Sequence, residues 1–391
     1  MKNSLRFITF HYVSLLVVMV FYFSKSPSAF SQNLNWARQL PGPGPDFLKG
    51  MTSDAAGNIY VVGAFTETFD FDPGAGQAIA GPAHDRDIWF GKYSSTGDLI
   101  WAKWIVGCHD GFGWDIALDN AGSLYITGFF GAGPPPDFDP GPGVAYPDVA
   151  HGLFLAKYST NDGTFQWLRT VGNNNVTSRA RAIAVDASNN VYIAGTLWAT
   201  STQSVNFGGS SVSTSQGSAF FARYTSAGVN NLARIVGPAN STTTDLWDLA
   251  LDASANIHIT GQFAGIADFH PTASTPTINS ANGSAYVCKY TSSGNHTWTR
   301  QVTGQNGDLG NRVAVDGSGN VYVTGSFNTN GGIIFLAKFN SSGTQQAFKS
   351  IGGSNADVGQ ALVLDGAGSL YLSGLFNGTD IAFDQQQVPI G

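Results

Sequence analysis

DGSGNVYVTGSF, Asp316–Phe327, decides the fold, because five relatives of it stand elsewhere in the chain. They are DAAGNIYVVGAF from Asp54, DNAGSLYITGFF from Asp119, DASNNVYIAGTL from Asp186, DASANIHITGQF from Asp252 and DGAGSLYLSGLF from Asp365. Each opens with Asp and a turn containing Gly or Asn, then alternates apolar and polar residues with a period of two. That pattern is a tight turn feeding a half-buried strand. The opening aspartates are 65, 67, 66, 64 and 49 residues apart, which is room for one four-stranded sheet per interval.

The remaining strands follow by the same alternation. In the fifth copy they read RVAVD from Arg312, NVYVTGSF from Asn320, IIFLAKF from Ile333 and QQAFKSI from Gln345. The last recurs as LIWAKWI from Leu99, FQWLRTV from Phe165, NNLARIV from Asn230 and HTWTRQV from His296, and a relative, NLNWARQL (33–40), stands before the first repeat. Junctions such as DGSGN and SSGT reverse the chain, so neighbouring strands run antiparallel. The expected fold class is all-β, a β-propeller of four-stranded antiparallel blades with six blades visible and the last incomplete.

GNVYVTGSF, IIFLAKFNSSG and HTWTRQVTG resemble the SBBP-type β-propeller repeat of secreted and surface-exposed bacterial proteins, over nearly all of Trp36–Phe376. The resemblance implies the propeller and no common catalytic residues. The sixth repeat departs from the pattern, running into DIAFDQQQVPIG without a segment like IIFLAKF. Either the opening strand around Trp36 completes that blade, or the chain is a piece of a longer one and seven blades are possible.

Composition agrees with many short strands. The 391 residues include 49 glycines, 13% aromatic and 12% charged residues. Of the 26 acidic residues only Glu67 is a glutamate, and aspartate favours turns over helix interiors. Lys2 and Arg6 precede an apolar run from Phe7 to Phe23 and a small-residue cleavage site. Residues 1–31 therefore read as a signal peptide cut after Ser31, and 32–391 as the repeat domain; the alternative is an uncleaved membrane anchor. A secreted or cell-surface location is expected. The cleaved chain would carry 16 basic and 26 acidic residues, which argues against nucleic acid, anionic lipid or membrane insertion. Cys108 and Cys288 lie in different repeats and are expected to be unpaired.

Antiparallel blades put the first-to-second and third-to-fourth turns on one face, where they are short. The second-to-third connections and the links between blades share the other face and are mostly long, as between Phe65 and Ile88, Phe130 and Leu153, Leu197 and Ala219, and Phe263 and Ala285. Long loops over a rigid scaffold are where binding is built. The chain is therefore expected to be an exported, non-catalytic binding module for an extracellular protein or glycan. Trp114, Trp198 and Trp247 are the candidate contacts, although Trp114 and Trp247, read as lying in links between blades, would also serve to seal neighbouring sheets. Asp70 with Asp72 and Asp137 with Asp139 form i, i+2 pairs that would suit Ca²⁺ or make Asx turns ahead of Pro73 and Pro140. Phe71, Phe138, Phe207, Phe269 and Phe383 recur in the long loops as anchors. For catalysis, His84, His109, His151 and His270 are the acid–base candidates, but none has a repeated partner, and no zinc spacing or nucleophile elbow is present. No catalytic residue is assigned. A propeller-type lyase or hydrolase on the same face, and a purely structural surface repeat, are the alternatives.

Overall fold

The computed structural model describes residues 36–40, 42–81, 85–237, 240–270, 277–302, 307–327, 332–352, 357–365, 368–375 and 382–383. Residues 1–31, read above as a signal peptide, and His84 lie outside them. Among the described residues every regular element is a strand, and no helix is long and apolar enough to cross a membrane.

Blade 1 is built from Phe47–Ser53, Ile59–Phe65, Asp87–Tyr93 and Leu99–Ile105. Blade 2 contains Phe112–Leu118, Ser123–Phe130, Gly152–Ser159 and Phe165–Val171. Blade 3 is Val176–Val185, Val191–Asn206, Ser211–Tyr224 and Asn230–Val236, and blade 4 is Asn240–Leu251, Ile257–Ala267, Ile278–Tyr290 and His296–Val302. Blade 5 comprises Leu309–Val315, Val321–Phe327, Ile333–Phe339 and Gln345–Gly352. Of blade 6, Val358–Leu364 and Leu370–Leu375 are described. Each inner strand packs against the inner strand of the next blade, in chain order from Phe47–Ser53 to Val358–Leu364, which is the radial arrangement of a propeller.

The middle strands are buried on both faces, and their alternation divides them between neighbours. Val191 and Ile193 of blade 3 pack with Tyr125, Leu153 and Leu155 of blade 2, whereas Tyr192 and Ala194 join a cluster with Ile257, Ile259 and Tyr286 of blade 4. Cys108 and Cys288 are free and buried. Outer strands reach across to the following blade. Trp167 Nε1 donates to Ser226 O and Trp298 Nε1 to Ser341 O. Trp36, in a segment expected to be a strand and found here without regular structure, makes the same bond to Ser95 O of blade 1.

The repeated aspartate closes its own turn. Asp316 Oδ1 accepts the Ser318 and Asn320 N–H groups at 3.0 and 2.8 Å, and Oδ2 accepts Asn320 Nδ2 and the Tyr322 hydroxyl at 2.8 and 3.2 Å. Asp54 and Asp186 repeat the set with Tyr60 and Tyr192. In blade 4, His258 stands in the tyrosine's place, 3.5 Å from Asp252. Burial opposes ionisation of Asp252, but bonds from Asn256 and Lys289 outweigh it and hold the carboxyl at about 2. Burial and the nearby Lys289 charge keep His258 down at about 4, and so neutral.

The long connections differ from the sequence expectation in two blades. Between Leu197 and Ala219, and between Phe263 and Ala285, much of the chain read as loop is strand: Val191–Asn206 pairs with Ser211–Tyr224 out to Asn206↔Ser211, and Ile257–Ala267 with Ile278–Tyr290 out to Ala267↔Ile278. The segment ATSTQSVN (199–206) is polar but rich in β-formers, so it extends the hairpin. In blades 1 and 2 the Pro- and Gly-rich segments stay irregular apart from the pair Phe69–Asp70 and Ile79–Ala80.

Phe71, Phe138, Phe207 and Phe269 are buried anchors as expected; the side chain of Phe383 lies outside the described set. A second device fixes the same loops. The Tyr93, Tyr158, Tyr224 and Tyr290 hydroxyls on the third strands donate to the carbonyls of Phe71, Phe138, Phe207 and Phe269 at 2.8, 2.8, 3.1 and 2.6 Å. Blade 5, whose connection is short, carries Phe339 at this position.

Candidate site at the mouth of the propeller axis

Every inner strand contains a β-bulge. The register slips between Leu48 and Gly50, Gly113 and Asp115, Ala180 and Ala182, Leu246 and Asp248, Gly310 and Arg312, and Gly359 and Ala361. The unpaired residues are Lys49, Trp114, Arg181, Trp247, Asn311 and Gln360. The repeated glycine of the second strand makes room for this kink. A Cβ on Gly63, Gly128, Gly195, Gly261 or Gly325 would lie 1.7–1.9 Å from the backbone oxygen two residues before the bulged one. Only glycine tolerates so close an approach, and the bulge re-aims the side chain that follows.

In the first four blades the bulged residues alternate cation and tryptophan, and they touch in order. The Lys49 ammonium lies 5.2 Å from the Trp114 ring. The Arg181 guanidinium lies 5.6 Å from Trp114, 3.8 Å from Trp247 and 5.7 Å from Trp198 on its own second strand. One step toward the long-connection face, Arg86 covers Phe112 at 4.6 Å and is paired with Asp110, and Arg179 covers Phe129 at 4.6 Å. The three tryptophans are each half-buried.

Arg181 is only 7% exposed. Burial pushes its pKa down to about 10, Asp245 acting against that, so the group stays charged at neutral pH. Its Nε and Nη1 have no hydrogen-bond partner. Lys49 is exposed along its length, but ring atoms displace water from its ammonium. That desolvation, with the like charges of Arg312 and Arg86, holds it below the ordinary lysine value.

One step toward the short turns lie Asp115, Asp248 and Arg312. The carboxylates stitch blades together: Asp115 accepts Ile116 N–H and Ile183 N–H of blade 3, both at 2.9 Å, and Asp248 accepts Val313 N–H of blade 5 at 2.8 Å. Both retain some accessible surface. Burial, with the charge of Asp248, raises Asp115 to about 7, and burial raises Asp248 while Arg312 opposes it.

Trp114, Trp198 and Trp247 thus come together around one guanidinium. Trp114 and Trp247 sit on inner strands, not in links between blades, because FGWD and DLWD lie within Phe112–Leu118 and Asn240–Leu251. The aspartate pairs remain far apart in chain and form turns. Asp70 Oδ1 accepts the Asp72 and Ala78 N–H groups, Asp137 Oδ1 those of Asp139 and Ala145, and Asp72 and Asp139 accept Gly74 and Gly141 N–H. Among the described residues no group of three or more His, Cys, Asp or Glu side chains is placed to hold a metal ion. Of the candidate histidines, the described ones, His109, His151 and His270, lie apart from one another. His109 Nδ1 lies 3.8 Å from Asp85 near Arg86, His151 precedes the third strand of blade 2, and the His270 ring lies 5.2 Å from His296 at the outer edge of blade 4. A cavity of about 590 Å³ opens beside the latter pair, away from the axis. Arg181, Lys49, Arg179 and Arg86 were not evident from the sequence; the signal for the bulged set is its constant position, 14 residues before the repeated glycine.

With this geometry in hand, residues 297–334, covering the outer strand of blade 4 and half of blade 5, are the decisive match to a known family. They match the SBBP β-propeller repeat. The matched span contains the turn signature DGSGN and one bulged residue, Asn311. No curated protein sequence matches the chain. Among solved structures, the chain is similar to a family PL25 polysaccharide lyase, an ulvan lyase, at 11% identity and a TM-score of 0.44, over 80% of this chain and 72% of that one. The same figures hold for that lyase bound to a glucuronate–sulfated rhamnose saccharide and without it. The extracellular domain of a hybrid two-component system from B. thetaiotaomicron matches at 12% identity and a TM-score of 0.19, over 91% of this chain and 51% of that one.

Proposed function

We propose that the protein is an exported, non-catalytic binding module that receives an extracellular ligand at the axial mouth on its long-connection face. The observation carrying this is the touching series Lys49, Trp114, Arg181 and Trp247, four bulged residues of consecutive blades gathered with Trp198. Large aromatic rings with charged donors between them are the usual furniture of a recognition surface. Export rests on the leader read in residues 1–31. The test is a glycan and protein binding screen of the full mature chain beside Trp198→Ala. Capture that is lost in the variant while its thermal midpoint stays near that of the parent supports the module. A screen that returns no ligand, or a variant that loses its fold, opposes it.

A catalytic reading has one observation in its favour, His109 beside Asp85 and next to Arg86 at the same mouth. A lyase or hydrolase there would lose turnover on His109→Ala while keeping ligand affinity.

A further inference from the structure

We infer that the axial mouth is an oxyanion site for an acidic saccharide, with Arg181 receiving the carboxylate or sulfate carried on the sugar ring. This rests on the binding reading above and adds the chemistry of the ligand.

Arg181 is more than nine-tenths buried, no carboxylate forms an ion pair with it among the described residues, and two of its nitrogens lack any acceptor. A buried cation is normally paired, and a buried donor is normally satisfied. The rings of Trp114, Trp198 and Trp247 stabilise the charge through their faces, but they offer no in-plane acceptor for N–H groups. An oxyanion is the partner that completes the set, since its oxygens match the guanidinium fork.

The surroundings lead the same way. Lys49, Arg86, Arg179 and Arg312 gather at this end of the axis in a chain whose formal net charge is −7. Like charges add to burial in lowering two of them, Arg312 and Arg86 acting on Lys49 and Arg179 on Arg86, although Arg86 is also paired with Asp110. The carboxylates around them do not neutralise them freely: Asp245 favours the charged form of Arg181 but makes no ion pair with it among the described residues, and both oxygens of Asp115 and one of Asp248 are engaged by backbone N–H groups. A saccharide suits the site better than an acidic peptide. The accessible parts of the three tryptophan rings can take the C–H face of a sugar ring while its acid group reaches Arg181, whereas an Asp or Glu side chain brings no such face.

The experiment is calorimetric titration of the full mature chain with polygalacturonate, chondroitin sulfate, neutral dextran and polyglutamate, at low and moderate salt. Expected are binding of one or both acidic glycans, weakening as salt rises, and no binding of dextran. Arg181→Met should weaken acidic-glycan binding by roughly 10–100-fold, the worth of a charged hydrogen bond, while its thermal midpoint stays level or rises, because an apolar isostere replaces a buried charge. Lys49→Gln, at an exposed position, should weaken it several-fold and serves if Arg181→Met does not fold. Dextran bound as tightly as the acidic glycans, or affinity indifferent to both substitutions, overturns the oxyanion site and leaves the binding module standing. Polyglutamate bound more tightly than either glycan overturns the saccharide. No binding to any glycan or protein overturns the module itself. Desulfated chondroitin beside chondroitin sulfate separates carboxylate from sulfate.

Discussion

Two rows of residues run around the inner part of this propeller, and they obey opposite rules. At the short-turn end, Asp is the same in all six blades, and five of the six carry Tyr as its partner. At the bulge, one strand-length away, the six positions hold Lys49, Trp114, Arg181, Trp247, Asn311 and Gln360. The turn row must satisfy the same backbone N–H groups in every blade, so its chemistry is fixed by geometry. The bulge row is freed from pairing by that same geometry, so its chemistry is open to be set by a ligand. The repeated glycine connects the two rules, because it is constant in order that the neighbour opposite can vary.

The contrast is broken most severely at that glycine. Gly128→Ala would place a methyl 1.8 Å from Phe112 O, and a loss of about 3 kcal/mol or more is expected in denaturant unfolding. Unchanged stability would mean that the bulge is not held by the glycine. Asp316→Ala strips two backbone and two side-chain donors of their acceptor; about 2 kcal/mol should be lost. A smaller effect belongs to the loop latch. Tyr158→Phe leaves the Phe138 carbonyl unsatisfied in a buried position, worth about 1–2 kcal/mol, with faster limited proteolysis between residues 131 and 151. Blade 5 already carries Phe339, so Phe339→Tyr should gain nothing.

Acidity sharpens the comparison further. Asp115 has its folded-state pKa raised to about 7, so the folded chain holds this proton more tightly than the unfolded one. Its contribution to stability is complete below the ordinary carboxyl value of about 4 and is lost as pH rises through about 7. Denaturation midpoints should therefore show a downward step across this window, and Asp115→Asn should flatten it. Asp252, held at about 2, acts in the opposite sense: its contribution is present above about 4 and disappears as pH falls toward 2. The smallest effect on stability is expected at the bulge row itself, within about 1 kcal/mol for Arg181→Met, although the loss of affinity there should be the largest of all.

The scaffold was readable in the sequence because its signals are local. Period-two alternation marks the second, third and outer strands, and Asp with Gly or Asn marks the turns. The inner strand of blade 5 was read three residues short, as RVAVD from Arg312 when the strand begins at Leu309, because a bulge inserts a residue and interrupts the alternation. That interruption concealed Lys49, Arg181, Asn311 and Gln360, and it placed Trp114 and Trp247 in links when they lie on strands. Trp114, Trp198 and Trp247 stood out by residue type, but the guanidinium that joins them comes from blade 3, and contacts between blades leave no mark in linear order. The tyrosine latch was legible in principle: Tyr93, Tyr158, Tyr224 and Tyr290 accompany the long connections, and Phe339 accompanies the short one.

A crystal structure of residues 32–391 with a short galacturonate oligosaccharide tests the central claim most directly. A uronate carboxylate within hydrogen-bond distance of Arg181, with its ring against one of the three tryptophans, is the predicted result. An oligosaccharide lodged instead in the outer cavity beside His270 and His296, or on the short-turn face, would contradict the account.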